Sequence, residues 1–292
     1  CGKAGMRATM DAPRLWRMLP RARHAGVMKR PVCVLTIAGS DSGAGAGVQT
    51  DARAIHALGG YALTVITAVT AQNTRGIAAW EPVSPRVVES QLRAVLDDFP
   101  VAAIKTGLLP SASMVHTIAR VLDEYPKRPL IIDPVMGSTS GSRFLDADGI
   151  RLLKKKLLPR ATLVTPNWPE AETLSGIRIE SLTTARMAAQ RILECGVNAV
   201  LIKGGHGPGD TCRDLLMDHA GRARVFSAKR IQTRNTHGTG CVLSAAITTA
   251  IARGNSLETA IGMARRLLRK GLRAGRAREW GGTGPAFDGV SF

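Results

Sequence analysis

Apolar runs and amphipathic stretches alternate along most of the chain. The run Val32–Ala38 is apolar and partly β-branched, which predicts a strand. Val48–Leu58 then has apolar residues at positions 48, 52, 55 and 58, the spacing of one helix face. By the same criteria we predict further strands at Tyr61–Val69, Ala102–Thr106, Leu130–Asp133, Thr162–Thr165 and Ala199–Ile202, and further helices at Arg86–Asp97, Ser113–Leu122, Asp148–Leu157, from Pro169, at Thr183–Cys195, Cys241–Ala252 and Ser256–Ala274.

The order of these elements predicts the fold class. Strands and helices alternate, which is typical of α/β proteins whose parallel sheet is covered by helices on both faces. Leu215–Asp218 and Ala223–Phe226 predict an antiparallel pair around Gly221, and residues 73–85 are interpreted as a connection. No repeat and no Pro/Gly/Ser-rich linker divides the chain, so we expect one domain over residues 29–292, with sites at the carboxyl ends of its strands.

Composition supports a globular protein of this class. The 292 residues are 45% hydrophobic but 4% aromatic, so aliphatic side chains must fill the layers between sheet and helices. Five cysteines without a C-x-x-C pair argue against a disulfide framework or a structural zinc site and favour a reducing, cytoplasmic compartment. The longest uncharged stretches contain glycine, glutamine and asparagine, so no membrane span is expected.

The formal net charge of +18 is unevenly distributed. Residues 1–30 hold eight basic residues against one acidic residue, and a second basic run lies within residues 265–278. We interpret residues 1–28 as a basic, disordered N-terminal extension that function does not require, with Met28 as the natural start. A nucleic-acid-binding or regulatory protein is the alternative from another class. Aromatic residues do not interleave the basic runs, so nucleic acid is not the expected partner.

The first glycine-rich loop, Gly39–Gly47, lies between a predicted strand and a predicted helix. It contains neither G-x-G-x-x-G nor G-K-[ST], so it is neither a Rossmann nor a Walker loop. Its glycines allow a close approach to a ligand, with Asp41 and Asp51 near the mouth, but a plain strand-to-helix turn stays open as the alternative.

The second glycine-rich loop, Asn235–Cys241, precedes a helix rich in small residues. The amides of Gly238, Thr239, Gly240 and Cys241 are therefore expected to face an anion such as a phosphoryl group. The same helix N-terminus should lower the pKa of the Cys241 thiol, so that its thiolate accepts a proton from an alcohol. A buried structural cysteine is the alternative.

Polar side chains follow several other predicted strands. Asn167, Glu170 and Asp133 offer oxygen atoms suited to a hydrated Mg²⁺ ion that bridges phosphate oxygens. Lys203 offers a mobile positive charge to phosphate. Gln72 carries a carboxamide that can pair with the edge of an aminopyrimidine. Helix caps and solvated turns are the alternative for each of these residues.

Taken together, these motifs closely resemble those of the hydroxymethylpyrimidine/phosphomethylpyrimidine kinases of thiamine biosynthesis, members of the ribokinase-like superfamily. The resemblance spans about Val32 to Ala264 and is carried by AGSDSGAGAGVQTD at 38–51, TAQNTRG at 70–76, DPVM at 133–136, TPNWPEA at 165–171, LIKGGH at 201–206 and NTHGTGC at 235–241. It implies a ribokinase-like fold, commonly a homodimer, that uses ATP and Mg²⁺. The implied activity is phosphorylation of 4-amino-5-hydroxymethyl-2-methylpyrimidine and then of its monophosphate. Pyridoxal kinase of the same superfamily is the alternative.

The resemblance also implies roles for single residues. The pyrimidine would be contacted by Gln72 and Asp51, in a pocket lined by Gly39, Val135 and Leu108. ATP would be bound by Lys203, Asn167 and Glu170, and Mg²⁺ would be held, largely through water, by Asp133 and Glu170. Cys241 would act as general base behind an anion hole of Gly238, Thr239 and Gly240. Ala44 stands where these kinases usually have glycine.

Overall fold

Buried aliphatic strands form the centre of the molecule. The computed structural model of the chain describes residues 31–137, 144–207 and 209–289. In this part of the chain one nine-stranded sheet has the order β3-β2-β1-β4-β5-β6-β7-β8-β9. The strands are β1 Cys33–Asp41, β2 Tyr61–Asn73, β3 Gly76–Pro82, β4 Val101–Thr106, β5 Leu130–Ile132, β6 Leu163–Val164, β7 Ala199–Ile202, β8 Thr211–Asp218 and β9 Ala223–Lys229.

The helices are α1 Gly47–Ala57, α2 Pro85–Asp98, α3 Ala112–Asp123, α4 Ala147–Leu152, α5 Trp168–Ser175, α6 Leu182–Leu193, α7 Thr239–Ala252 and α8 Leu257–Ala274. Helices α1 to α6 lie between strands in the chain, and α7 and α8 follow β9. A π-helical turn, Leu153–Leu157, continues α4, so the predicted helix Asp148–Leu157 is helical throughout but not uniform in winding.

The two faces of the sheet bury separate cores. Alternate residues of β1 point to opposite faces: Leu35 and Ile37 pack with α2, α3 and α6, whereas Val34 packs with α1, α7 and α8. Neighbouring strands in the order β2-β1-β4-β5-β6-β7 pair in parallel, whereas β3 pairs antiparallel with β2, β8 with β7, and β9 with β8. The predicted mostly parallel α/β sheet with helices on both faces is therefore confirmed.

One predicted connection is wrong. Residues 73–85 contain strand β3, which pairs antiparallel with β2 in a hairpin whose turn includes Thr74 and Arg75. Every residue of β3 is partly or fully exposed. An edge strand without a buried face lacks the alternation of apolar and polar residues on which the prediction relied.

The basic extension predicted for residues 1–28 lies outside the described residues. Contacts group Pro31–Phe292 as one unit. None of the helices in the described ranges combines the length and the apolar character that a membrane crossing requires.

Candidate active site

A cluster of three charged side chains lies beyond the carboxyl ends of the central strands. Asp133 follows β5, Lys203 follows β7, and Glu170 lies in the first turn of α5. The Lys203 Nζ lies 2.8 Å from Asp133 Oδ1 and 3.6 Å from Glu170 Oε2. Parallel strands end at the same edge of the sheet, which is why residues 70 positions apart meet here.

Hydroxyl groups complete the surroundings of Asp133. Thr165 Oγ1 donates to Asp133 Oδ1 at 3.2 Å, and Ser244 Oγ of α7 donates to Oδ2 at 3.2 Å. Although burial opposes ionisation, the charges of Lys203 and Lys105 hold the pKa of Asp133 below its ordinary value. Asp133 is therefore a fixed negative charge in a water-poor site.

Asn167 and Glu170 form a reciprocal cap at the start of α5. Asn167 Oδ1 accepts from the Glu170 amide at 2.9 Å, and Glu170 Oε2 accepts from the Asn167 amide at 2.7 Å. This is the helix-cap alternative that the sequence left open, and it holds the Glu170 carboxylate beside Lys203. Burial raises the pKa of Glu170, Asp133 adds to the rise, and Lys203 opposes it.

The N-terminus of α7 closes over this cluster. Gly238 has φ of +77°, and a Cβ there would lie 2.0 Å from the carbonyl oxygen of Gly45, so glycine is required where the two glycine-rich loops meet. A Cβ on Gly240 would lie 3.2 Å from Lys203 Nζ. The first helical bond of α7 runs from the Val242 amide to the Gly238 carbonyl, which leaves the amides of the first turn outside the helix ladder.

One of the amides predicted to face an anion is already engaged. The Thr239 N–H donates to the Thr236 carbonyl at 3.3 Å. The amides of Gly240 and Cys241 are thus the first-turn groups that best match the predicted anion hole.

The thiol of Cys241 does not have the pKa that the sequence predicted. The Gly47 amide, at the first residue of α1, donates to its sulfur and favours the thiolate. Burial outweighs this effect and, with Asp51 and Asp133 nearby, raises the pKa of Cys241 to about 12, although Lys105 opposes the rise. The predicted lowering is wrong for the protein without ligands, because removal from water disfavours the charged thiolate.

Gln72 belongs to a polar chain that links β2 to the second glycine-rich loop. Its Nε2 lies 2.9 Å from His237 Nε2, and the same ring nitrogen lies 2.9 Å from Asp41 Oδ2. Although burial opposes ionisation, the bonds from His237 and from the amides of Ala46 and Gly43 lower the pKa of Asp41. The ring nitrogen can donate to Asp41 or accept from Gln72, so His237 of the second loop contacts both side chains.

The residues predicted to line a pocket lie together. A Cβ on Gly39 would be 2.9 Å from Leu108 Cδ2, so these two residues are in direct contact. Leu108 and Phe144 belong to a small apolar cluster against which Val135 and Trp80 pack. The Trp80 and Phe144 rings meet edge to face, with centroids 5.5 Å apart. An apolar wall therefore borders the loop that contacts His237.

Asp51 is the predicted substrate contact whose placement differs from expectation. Its side chain is fully buried, 2.7 Å from Lys105 Nζ and 2.6 Å from Thr36 Oγ1. The carboxylate is completely covered by protein atoms.

Sequence reasoning missed four residues of the site. They are Lys105, Thr165, His237 and Ser244. Lys105 interrupts the apolar strand β4, and His237 lies inside the second glycine-rich loop, so each carried a signal. The sequence did not show which residues Lys105 and His237 contact, because these contacts join residues far apart in the chain.

Comparison with known proteins identifies the family of this chain. The family model described as phosphomethylpyrimidine kinase matches residues 41–285. The sequence is 45% identical over 254 residues to the hydroxymethylpyrimidine/phosphomethylpyrimidine kinase of Rhizobium meliloti, covering 86% of this chain and 94% of that protein. It is 45% identical over 240 residues, 82% of this chain, to the thiamine biosynthesis bifunctional protein ThiED of Geobacter sulfurreducens, of which it spans about half, 49%.

A solved structure shows the same architecture. The pyridoxal kinase from Staphylococcus aureus, in complex with AMP-PCP and pyridoxal, aligns with a TM-score of 0.80 at 31% identity, covering 89% of this chain and 93% of that one. The predicted fold and the predicted family are both confirmed. The chain belongs to the phosphomethylpyrimidine kinase family.

Proposed function

We propose that this chain transfers the γ-phosphoryl group of ATP to the hydroxyl of 4-amino-5-hydroxymethyl-2-methylpyrimidine and then phosphorylates the resulting monophosphate, as a step of thiamine biosynthesis. The observation that carries the proposal is the convergence of three elements. The Asp133–Lys203 pair lies under the first turn of α7, and that turn is joined through His237 to the carboxamide of Gln72. A site suited to phosphate thus lies next to a carboxamide, that of Gln72, which can form hydrogen bonds with a pyrimidine ring.

Gln72 and the apolar wall form the acceptor end of this site. A carboxamide presents one donor and one acceptor side by side, which matches the amino group and ring nitrogen of an aminopyrimidine. We assign Gln72 to that edge and Gly39, Leu108 and Val135 to the face of the ring. Asp51 is assigned an indirect role, because its carboxylate is fully buried and paired with Lys105.

The first turn of α7 and Lys203 form the phosphate end. Backbone amides at a helix N-terminus and a lysine ammonium both stabilise the charge that develops on the transferred phosphoryl group. Gly240 and Cys241 supply the amides, and Lys203 lies within reach of the same turn. Asn167 keeps Glu170 in place through the cap and is assigned to ATP on the resemblance alone.

The carboxylates of this cluster fit a hydrated Mg²⁺ ion. Asp133 and Glu170 supply hard oxygen atoms on either side of Lys203. Both oxygens of Asp133 already accept hydrogen bonds, which suits a cation that keeps most of its water ligands. In the described ranges, no three His, Cys, Asp or Glu residues are grouped closely enough to hold a metal by themselves. When bound, Mg²⁺ would neutralise charge on the phosphate oxygens.

Cys241 is assigned as the general base of the first phosphorylation. The primary alcohol must lose its proton as its oxygen attacks the γ-phosphorus, and the sulfur stands at the anion hole where that oxygen would lie. The second acceptor is a phosphate that is already ionised, so it requires no base. The two phosphorylations therefore make different demands on the same residue.

Pyridoxal kinase activity is the second candidate function. It is favoured by the TM-score of 0.80 to the Staphylococcus aureus pyridoxal kinase. The higher identity to the Rhizobium meliloti enzyme, 45% against 31%, favours the aminopyrimidine.

A parallel assay tests the proposed function. The full chain is incubated with Mg-ATP and, separately, with hydroxymethylpyrimidine, its monophosphate and pyridoxal, and ADP release and products are followed. We expect the highest kcat/KM on the two pyrimidines and a selective loss of that activity in Gln72→Ala. A higher kcat/KM on pyridoxal, or no turnover of any acceptor, would reject the proposal.

We also propose that the chain is a homodimer. β3 forms one edge of the described sheet, and Val69 on the neighbouring strand β2 is 52% exposed. An open edge beside an exposed apolar residue suits contact with a second copy. Light scattering coupled to gel filtration should give twice the mass of the chain, and a monomer mass at micromolar concentration would contradict this.

A further inference from the structure

A segment that follows α8, residues 282–287, crosses the loops of the candidate active site. Its Thr283 N–H donates to the Thr74 carbonyl at 2.7 Å, in the turn between β2 and β3. A Cβ on Gly282 would lie 2.2 Å from the same carbonyl oxygen, so the segment lies directly against this turn. Gln72 precedes Thr74 by two residues. The contact is therefore made beside the residue assigned to the pyrimidine.

The same segment bonds to both main-chain polar groups of His237. The His237 N–H donates to the Gly284 carbonyl at 3.0 Å, and the His237 carbonyl accepts from the Ala286 N–H at 2.8 Å. Between these two bonds, Pro285 lies opposite His237 in a parallel bridge. The backbone on both sides of His237 is therefore fixed in the way that one strand fixes its neighbour.

Two buried side chains anchor the segment to the body of the protein. Asn235 Oδ1 accepts from the Gly284 N–H at 3.2 Å. The Nδ2 of the same carboxamide donates to the carbonyls of Gly275 and Arg278, at 2.7 and 2.9 Å. Phe287 packs in the core that lies beneath α1, α7 and α8. The position of the segment is thus set by the core and not by the loops that it crosses.

His237 is the residue through which the segment reaches the cleft. Its Nε2 lies 2.9 Å from Gln72 Nε2 and 2.9 Å from Asp41 Oδ2. Hydrogen bonds weaken steeply with distance, so a shift of the ring by less than about 1 Å would break these contacts. The backbone bonds that hold His237 therefore also decide whether its ring meets the carboxamide of Gln72.

We propose that segment 282–287 is a positioning element of the acceptor site: by bonding to His237 and to the turn at Thr74, it sets the place of the Gln72 carboxamide. The part of this proposal that concerns the acceptor rests on the function proposed above. The part that concerns the geometry of the loops does not, because it is measured without substrate.

Two variants displace the segment without changing a side chain assigned to the acceptor. Gly282→Ala places a methyl group against the Thr74 carbonyl, and Asn235→Ala removes the side-chain anchor. Gly281→Ala is the matched control, because the nearest atoms to a Cβ there belong to the Arg75 side chain, with Nε at 3.1 Å, and this side chain can move. Neither glycine has a positive φ, so alanine causes no backbone strain at either position.

Hydrogen–deuterium exchange measures the geometry of the loops. The full chain and its variants are exchanged without substrate, and the peptides that contain His237 and Ala286 are followed by mass spectrometry. Both variants should exchange faster than the parent in these two peptides, because the N–H groups of both residues lose their partners. The control should exchange like the parent.

Steady-state kinetics measure the effect on the acceptor. One neutral hydrogen bond is worth about two- to tenfold in an equilibrium constant, so the KM for hydroxymethylpyrimidine should rise by about that factor in Gly282→Ala and Asn235→Ala. The KM for ATP should remain that of the parent, because the segment bonds to the acceptor side of the cleft. The control should keep both KM values.

The outcomes separate a positioning role from a structural one. Faster exchange with a parent-like KM for the acceptor would overturn the proposal, and so would unchanged exchange in both variants. Equal increases in the two KM values would show a general loosening of the fold and would also overturn it.

The proposed function fails on a different observation. It is rejected if the parent chain turns over pyridoxal with neither pyrimidine as an acceptor. The same comparison of variants, with the KM for pyridoxal in place of that for hydroxymethylpyrimidine, would then decide the role of the segment.

Discussion

Replacement of Cys241 by alanine should separate the two phosphorylations. Without ligands the pKa of the thiol is raised to about 12 by burial, with Asp51 and Asp133 adding to the rise. At pH 8 the thiolate is then about one part in ten thousand, and forming it beforehand would cost about 5 kcal/mol. The thiol must therefore first lose its own proton to solvent, and only the small thiolate fraction accepts the proton of the attacking alcohol.

The expected magnitudes differ between the two acceptors. A positioned general base contributes about 10²- to 10⁴-fold, so Cys241→Ala should lower kcat on hydroxymethylpyrimidine by that factor. On the monophosphate the loss should be less than about tenfold, because an ionised phosphate has no proton to lose. The loss reflects chemistry rather than binding, so it should appear in kcat more than in KM.

Separate steady-state assays on the two acceptors check this prediction, with Cys212→Ala as a matched control on β8. The pH dependence gives a second measurement. The base acts unprotonated, and its pKa of about 12 lies above the working range, so the first phosphorylation should accelerate steadily from pH 6 to pH 9. The second should be nearly flat above pH 7. Equal losses on both acceptors, or a first step that does not vary with pH, would refute the reasoning.

Three further predictions concern the surrounding structure. Lys203→Met leaves Asp133 buried without its cation, so urea unfolding should show a loss of about 3–5 kcal/mol together with loss of turnover; unaltered stability would contradict the pairing. Ala44 has φ of +55°, so Ala44→Gly should raise the unfolding free energy by about 1 kcal/mol, and a decrease would contradict the strain. The pKa of Asp41 is lowered by His237, so its ionised form stabilises the fold above the unfolded pKa, and this contribution is lost as the pH falls through the folded pKa. Asp41→Asn should therefore be less stable than the parent at pH 7, with the difference shrinking below about pH 4 in urea titrations; a constant difference would exclude the linkage.

Most of the fold was predictable because its core strands are buried on both faces. β1, β4 and β7 are apolar runs with glycine, proline or polar residues after them, and both local composition and tertiary burial select the same structure. β3 was not predictable in this way. Its pairing with β2 depends on backbone hydrogen bonds at an exposed edge, which leave little trace in the side-chain pattern.

The candidate site was predictable as a set of loops but not as a set of contacts. The positions of Asp133, Glu170, Lys203 and Cys241 followed from strand ends and motif spacing. The contact of Gln72 with His237 joins residues 165 positions apart, and that of Lys105 with Asp51 joins residues 54 apart. Only the packed sheet and helices determine such partners, so the contacts of His237 with Gln72 and Asp41 and the Lys105–Asp51 ion pair emerged from the structure alone.

The failed prediction of a lowered thiol pKa shows which physical effect dominates at Cys241. Amides at a helix N-terminus stabilise a negative charge by about 0.3–1 kcal/mol, rarely up to 2. Full burial can shift a pKa by three to five units, each worth about 1.4 kcal/mol. Two helix N-termini, those of α1 and α7, therefore do not keep this thiol ionised by themselves. A thiolate at this position needs positive charge to offset its burial, and Lys105 is one of the groups that favour the thiolate.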